Sequence, residues 1–220
     1  MIKKFYYWFR KWSAHPEGRG GPSSGLWQGK VRQAALKNCD IENGYVLDLG
    51  CGEGLFLKEL TGAHPGLRVF AADLSREQLL QAKERINAPC HFPYFLLQSD
   101  ALRLAVKDNL FDRIICINFL INIPSDAELD TLLREIRRVC RPGGSVIFDI
   151  RNRSNPFVRL KYKFARFYDA TVKNVPLRMY DLDGIEKKLH ALGFDVSKVV
   201  PLGMLTGRFS AILVIEATKR

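Results

Sequence analysis

The sequence predicts an α/β fold, in which a mostly parallel sheet carries helices on both of its faces. Segments with strand and helix patterns alternate regularly from residue 26 onward. An apolar run over residues 45–49 ends in three glycines on alternate positions, Gly50, Gly52 and Gly54, and a helical pattern follows at once. Parallel strands need crossover connections, which are right-handed and cover the sheet with helices.

Each predicted element rests on a local pattern. The helix over 126–140 has the clearest one, because five apolar residues recur along a single face. The turn Arg141-Pro142-Gly143-Gly144 then ends that helix before the next strand. The predicted strands are 45–49, 68–73, 94–98, 112–118, 145–150, 194–200 and 211–217, and the other predicted helices are 54–61, 75–86 and 181–192.

Length and composition fit one such domain. The 220 residues are 47% hydrophobic and 26% charged, which is ordinary for a globular protein. No stretch offers the roughly 18 uncharged apolar residues of a membrane span, and cations interrupt the N-terminal aromatic residues as they would not in a secretory signal. The five cysteines are scattered and form no C-x-x-C pair, so the sequence predicts a cytoplasmic protein without a metal site.

Net charge narrows the class of partner. There are 34 basic residues against 23 acidic ones, which gives a formal charge of +11. This excess favours a negatively charged partner, whether a nucleic acid, an anionic lipid or a phosphorylated small molecule. Charge alone does not choose among the three.

The glycine turn indicates a cofactor site, because glycines allow a close backbone approach and the following helix offers free N–H groups. The dinucleotide fingerprint is G-x-G-x-x-G, whereas the third glycine here comes one residue early. The D-x-G-x-G-x-G form of residues 48–54 resembles the first motif of class I S-adenosylmethionine-dependent methyltransferases. That resemblance implies a Rossmann-like fold of seven mostly parallel strands with an antiparallel hairpin strand, and S-adenosylmethionine as the cofactor.

Residues further along extend the resemblance. Asp73 ends the second strand, where a carboxylate can accept hydrogen bonds from both ribose hydroxyls; the alternative role is a helix N-cap. Asp100 and Ala101 follow the third strand, where this family holds adenine, and the alternative for Asp100 is a plain loop residue. Residues 111–118 and 141–144 resemble the fourth strand and the turn before the fifth. The implied cofactor-binding residues are Asp48, Gly50, Cys51, Gly52, Asp73, Leu74, Asp100, Ala101, Asn118 and Phe119.

Departures from the family pattern bear on the acceptor. The resemblance is closest to small-molecule methyltransferases, including those of quinone biosynthesis, and it weakens over residues 151–220. Enzymes that methylate planar amine nitrogens carry (Asp/Asn)-Pro-Pro-(Tyr/Phe) after strand four, and Asn118-Phe119-Leu120-Ile121 here argues against that activity. No residue is identified as a catalytic base, although Tyr162, Tyr168 and Asp169 are better placed by topology than the four histidines.

Two segments have more than one interpretation. Residues 151–178 carry eight basic residues and one acidic residue among aromatic ones, so 151–180 is either a helix with a solvated basic face or a cap that holds an anionic acceptor or lies against an anionic surface. Residues 1–12 combine apolar residues at helical spacing with four cations, and residues 15–25 form a flexible link. The N-terminal segment is a lid over the cofactor, a helix in a membrane interface or a disordered tail. Residues 26–220 are the predicted domain.

The sequence therefore predicts a methyltransferase that acts on oxygen or carbon of a small or lipid-linked, anionic acceptor. The predicted protein is cytoplasmic, with residues 1–12 as a candidate peripheral membrane contact. An RNA methyltransferase is the nearest rival, supported by the charge but by no recognisable RNA-binding appendage. A non-enzymatic binding module is opposed by the intact glycine motif, and a nicotinamide dehydrogenase by the glycine spacing.

Overall fold

The computed structural model describes residues 26–86, 94–168, 178–203 and 205–220. The predicted N-terminal segment and link, residues 1–25, lie outside the described residues, and so does Asp169. The strands are β1 (Gly44–Leu49), β2 (Leu67–Asp73), β3 (Tyr94–Gln98), β4 (Phe111–Cys116), β5 (Cys140–Arg151), β6 (Phe194–Leu202) and β7 (Ile212–Lys219). The helices are α1 (Leu26–Asn38), α2 (Leu55–Ala63), α3 (Arg76–Ile86), α4 (Asp126–Val139), α5 (Pro156–Tyr168) and α6 (Leu182–Ala191), with 3-10 turns at Leu120–Asn122 and Gly207–Phe209.

The seven strands form one sheet in the order β3-β2-β1-β4-β5-β7-β6. Strands β1 to β5 pair in parallel with their neighbours, and β7 runs antiparallel to both β5 and β6. This confirms the predicted mostly parallel sheet and its antiparallel hairpin strand. The strand order reverses between β1 and β4, and ligands of such sheets bind in the crevice beyond the carboxyl ends of the strands at this reversal.

Helices cover both faces of the sheet, as predicted. On one face of the sheet, α1, α2 and α3 pack against strand residues such as Val46. On the other face, α4 and α6 pack against strand residues such as Leu47. The alternation within β1 reflects the two-residue period of a strand. Ser125 and Asp181 cap α4 and α6 by accepting hydrogen bonds from Glu128 N and Gly184 N. Among the described residues, no helix has the length and apolar character needed to cross a membrane.

The fifth strand begins earlier than predicted. Phe111 pairs with Cys140 and Arg113 pairs with Ser145, so residues 141–144 bulge out of β5 opposite one residue of β4. That residue, Asp112, binds Arg141 Nη2 at 2.6 Å and accepts a hydrogen bond from Tyr45 N at 2.7 Å. The Arg-Pro-Gly-Gly turn is therefore a bulge inside the strand, stabilised by one buried carboxylate, rather than a loop before it.

Candidate active site

Acidic or amide residues stand at the carboxyl end of each of the five parallel strands. They are Asp48 in β1, Asp73 in β2, Asp100 after β3, Asn118 after β4 and Asp149 in β5. These ends share one edge of the sheet, and the neighbouring charges affect one another there. Burial, and then Asp73, raise the pKa of Asp48. Burial, and then Asp149 and Asp48, raise the pKa of the Cys116 thiol. The edge is a cluster of acids in a chain whose formal charge is +11.

The glycine turn packs too closely for any other residue at two positions. A Cβ on Gly50 would lie 2.2 Å from Cδ2 of Phe119, and one on Gly54 would lie 2.8 Å from Cα of Ala82 in α3. Both glycines have positive φ angles, 78° and 79°. The N–H groups of Gly50 and Cys51 donate to the carbonyl of Ala72 at 2.7 and 3.1 Å. The turn is thus fixed against the end of β2.

Asp73 connects the glycine turn to the start of α3. Its Oδ2 accepts a hydrogen bond from Gly52 N at 2.9 Å, and its Oδ1 accepts one from Ser75 N at 2.8 Å. Burial raises the pKa of Asp73, while the backbone donors act against that rise. The cap of α3 comes from Ser75, whose hydroxyl accepts from Gln78 N at 3.2 Å. A carboxylate has about four lone-pair positions, so Asp73 retains acceptor capacity for a ligand.

Asp48 has an oxygen that the chain leaves unpaired. The residue is 2% exposed, and its Oδ2 is buried without a hydrogen-bond partner among the described residues. Burial, and then the nearby Asp73, raises the pKa of Asp48 to about 8. A buried acceptor without a donor costs about 1–3 kcal/mol. A ligand that brings an N–H donor or a positive charge to this oxygen would remove that cost.

Asn118 and Phe119 lie against the same turn. Asn118 has a φ of 55°, and its N–H donates to Asp149 Oδ1. Its side-chain Oδ1 accepts from Nη2 of Arg151 at 2.9 Å. Phe119 follows directly and places its ring above Gly50. The structure therefore brings these two predicted residues to the glycine turn.

The pair Asp149 and Arg151 was missed by sequence reasoning. Asp149 is 2% exposed and forms a buried ion pair with Arg151. Residues two apart in a strand point to the same face, so the pair sits on one side of β5. The available signal was a lone acid inside an apolar run, Val146 to Ile150, without a glycine motif beside it like the one that singled out Asp48. This ion pair holds Asn118 in its left-handed conformation.

The remaining predicted residues line the same edge in more ordinary roles. Asp100 uses Oδ1 to accept from Leu102 N at 2.9 Å, which closes a local turn. Ala101 is buried in the core, and Leu74 accepts a hydrogen bond through its carbonyl from Gln98 Nε2 at 3.3 Å. Burial, Asp48 and Asp73 raise the pKa of the Cys51 thiol, so it stays a neutral thiol and is no nucleophile.

One known family matches most of the chain segment that builds this site, up to the bulge of β5 and short of Asp149 and Arg151. Residues 46–144 match a family model described as a methyltransferase domain. They form a class I S-adenosylmethionine-dependent methyltransferase domain. The match begins in β1 and ends in the bulge of β5, so it contains the glycine turn and every predicted cofactor-binding residue.

Relatives of the methyltransferase domain act on diverse acceptors. The chain is 39% identical over 103 residues to malonyl-[acyl-carrier protein] O-methyltransferase of Erwinia pyrifoliae, and the aligned region covers 47% of this chain and 36% of that protein. It is 26% identical over 162 residues to phosphatidylethanolamine N-methyltransferase of Cereibacter sphaeroides, 72% of this chain and 74% of that protein. The chain spans only 25 to 41% of the length of three curated relatives that it matches.

The fold also matches a solved methyltransferase. N-methyltransferase NodS from Bradyrhizobium japonicum WM9, in complex with S-adenosyl-l-homocysteine, superposes with a TM-score of 0.71 over 98% of each chain at 15% identity. The likeness establishes a shared fold. The predicted cofactor of the methyltransferase domain, S-adenosylmethionine, is confirmed. The site suits S-adenosylmethionine, because the cationic and hydroxyl groups of that molecule match the hydrogen-bond acceptors that the site offers, above all the unpaired Oδ2 of Asp48.

Proposed function

We propose that this protein transfers the methyl group of S-adenosylmethionine to oxygen or carbon of an anionic acceptor, either a small molecule or one linked to a lipid. The observation that carries the proposal is the buried, unpaired Oδ2 of Asp48 beside the glycine turn. It lies at the reversal of strand order, where ligands of this sheet type bind.

Each part of the cofactor is assigned to the hydrogen-bond acceptors that lie nearest to it along the carboxyl edge of the sheet. Asp73 takes the ribose hydroxyls, and Asp100 with the backbone of Ala101 takes the adenine. Asp48 takes the cationic methionine end of the cofactor, over the glycine turn. Of the other predicted residues, Gly50, Cys51 and Gly52 surround the methionine end, Asn118 and Phe119 lie near the methyl group, and Leu74 follows Asp73 beside the ribose.

Methyl transfer would be an in-line displacement: a lone pair of an acceptor oxygen, or the electron pair that an acceptor carbon keeps when its proton passes to water, would form the new bond to the methyl carbon while the electrons of the carbon–sulfur bond stay on sulfur. Positive charge on sulfur disappears during this step, so carboxylates near it stabilise the bound cofactor more than the transition state. The acid cluster therefore serves affinity. The rate comes from holding the acceptor in line with the methyl group.

Basic residues beside the site support an anionic acceptor. Arg153 is exposed in the short loop that joins β5 to α5, and Arg159 is exposed in the first turn of α5. Arg151, which is paired with Asp149, lies at the site itself. A carrier-bound acceptor and a lipid acceptor appear in the names of two relatives, malonyl-[acyl-carrier protein] O-methyltransferase and phosphatidylethanolamine N-methyltransferase. An RNA acceptor has only the net charge in its favour.

Two measurements test the proposal. Calorimetry is expected to give micromolar affinity for S-adenosylmethionine and S-adenosylhomocysteine, and poor affinity for NAD. Binding of NAD without S-adenosylmethionine would overturn the assignment. Methyl-labelled S-adenosylmethionine, incubated with the protein and separated cell extracts, is expected to label the lipid or small-molecule fraction, whereas label in RNA alone would favour the rival.

A third measurement addresses the basic segment. Replacing Arg159, Lys161 and Lys163 together with glutamine is expected to raise the KM of the labelled acceptor, because the acceptor loses cationic partners. Affinity for S-adenosylhomocysteine is expected to change little. An equal loss of both would assign the three residues to folding.

A further inference from the structure

Four exposed hydrophobic side chains lie on two adjoining elements. In the described residues six large hydrophobic side chains are exposed, and four of them belong to α5 or to the loop between β6 and β7. The other two, Leu80 and Phe95, lie on α3 and β3, at the opposite edge of the sheet. The four side chains, called the rim patch below, are Phe157, Leu160, Leu205 and Phe209, which are 45 to 55% exposed.

Two buried asparagines hold the halves of the rim patch together. Nδ2 of Asn152 donates to the carbonyl of Arg208, and Nδ2 of Asn155 donates to the carbonyl of Phe209, both at 2.7 Å. These asparagines are 1% and 0% exposed. Asn155 also begins α5, since its Oδ1 accepts from Val158 N at 2.8 Å. The 3-10 turn Gly207–Phe209 is thus fixed against the start of α5, and hydrogen bonds from buried side chains hold the two parts of the patch in place.

The loop holds a leucine outward in an unfavourable conformation. Leu205 has a φ of 70° and is 45% exposed. A branched residue in the left-handed region costs free energy that glycine would avoid. The Ser210 hydroxyl donates to the Leu205 carbonyl at 3.0 Å and helps to fix this geometry. The loop therefore keeps an apolar side chain in solvent at a cost in folding stability.

Cations lie beside the rim patch. Arg159 on α5 and Arg208 in the loop between β6 and β7 are exposed, and so is Arg153 in the loop that joins β5 to α5. Oδ2 of Asp183 on α6 lies 3.3 Å from Nη2 of Arg208, so one carboxylate partly offsets the positive charge of the three arginines. Aromatic and aliphatic side chains with arginines beside them match the headgroup region of a membrane, where apolar groups enter the lipid and cations meet phosphates.

The rim patch faces the same way as the candidate active site. Ile212, at the start of β7, pairs with Arg151 at the end of β5 and with Leu202 at the end of β6. The loop before Ile212 therefore projects from the carboxyl edge of the sheet, the edge that carries Asp48 and Asp149. A surface that meets the patch would face the opening of the site.

We infer that the rim patch docks this protein on an anionic lipid surface. The inference does not rest on the proposed reaction, because vesicles that contain no methyl acceptor test it. The expected occupant is the lipid surface itself, with Phe157, Leu160, Leu205 and Phe209 inserted among the headgroups. A second copy of the chain is the competing occupant, and the same variants distinguish the two.

The test is co-sedimentation of the full-length protein with vesicles of phosphatidylcholine alone or with phosphatidylglycerol added. We expect binding to the anionic vesicles, weakened by salt, and a loss of at least tenfold in the double variant Leu205→Ser/Phe209→Ser. Leu80→Ser is the matched control and is expected to bind as the wild type does. Retained affinity for S-adenosylhomocysteine would show that the double variant is folded and that cofactor binding is separate.

Several results would overturn the inference. They are equal vesicle binding by wild type and double variant, no vesicle binding by the wild type, and a wild-type dimer that the double variant loses. If the double variant does not fold, Arg153→Gln/Arg208→Gln replaces it, because both side chains are exposed. That variant is expected to lose binding to anionic vesicles, and unchanged binding would equally refute the docking surface.

Discussion

The N–H of Gly52 donates a 2.9 Å hydrogen bond to Oδ2 of Asp73, and this bond ties the glycine turn to the end of the second strand. The other carboxyl oxygen of Asp73 holds the first turn of α3 through Ser75. The residue that the family pattern assigns to ribose binding therefore also shapes the turn beside the ribose. A change at Asp73 should affect both binding and folding.

Replacing Asp73 with alanine is expected to weaken S-adenosylhomocysteine binding by about a hundredfold or more, since two charge-assisted hydrogen bonds worth about 1.5–3 kcal/mol each are lost. Calorimetry measures the change. The melting temperature is also expected to fall, because the N–H groups of Gly52 and Ser75 lose their acceptor. Glu84→Ala, which removes an exposed acid of α3, serves as the control. An unchanged dissociation constant would limit Asp73 to its structural bonds.

The raised pKa of Asp48, about 8 against a usual 3.8, makes the stability of the ligand-free protein depend on pH. The folded chain holds this proton more tightly than the unfolded chain. The contribution is therefore fully present below about pH 4 and is lost as pH rises toward 8, by up to about 1.4 kcal/mol per pH unit. Urea denaturation at several pH values is expected to show a decline that Asp48→Asn flattens. Parallel curves for the two proteins would contradict the assignment.

Two glycines of α2 and its entry form a matched pair. Gly54→Ala is expected to cost about 1–3 kcal/mol, because φ is 79° and the new Cβ would lie 2.8 Å from the backbone of Ala82. Gly62→Ala is expected to stabilise by about 0.4–1 kcal/mol, since nothing lies within 4 Å and alanine favours a helix. Chemical denaturation measures both. Stabilisation by Gly54→Ala would show that the turn is not close-packed, and destabilisation by Gly62→Ala would show that its surroundings are not open.

Arg151→Met leaves the buried carboxylate of Asp149 without its cation. We expect a loss of about 3–5 kcal/mol in unfolding free energy, and weaker S-adenosylhomocysteine binding because Asn118 is no longer held at its positive φ. Arg134→Ala, an exposed arginine of α4, is the control and should change stability little. Lost stability with unchanged cofactor affinity would separate this ion pair from the site.

Deleting residues 1–14 tests the predicted N-terminal segment. If that segment is a lid, as we expect, cofactor affinity falls while binding to anionic vesicles persists through the rim patch. If it is a membrane anchor, vesicle binding disappears and cofactor affinity stays the same. Calorimetry and co-sedimentation on one deletion variant distinguish the two, and no change in either would indicate a tail without a role.

Most of the fold could be predicted because apolar runs and glycine turns are local signals. The sequence did not predict α1, because its buried residues Val31 and Ala35 have small side chains and form only a narrow apolar stripe among polar residues. The bulge at 141–144 was read as a loop, because its retention in β5 depends on Asp112, a residue some thirty positions away. The rim patch was invisible for the same reason: Asn155 and Phe209 are 54 residues apart.

The position of β7 has a consequence for how the chain assembles. In the described sheet β6 pairs only with β7, and β5 meets β7 on its outer side. A chain that has made β6 but not β7 therefore leaves the outer edge of β5 and both edges of β6 open, each able to pair with another molecule. Shortening β7, for example by ending the chain after Val214, is expected to make the protein aggregate rather than only lose stability. The first segments to self-associate should be β5 and β6.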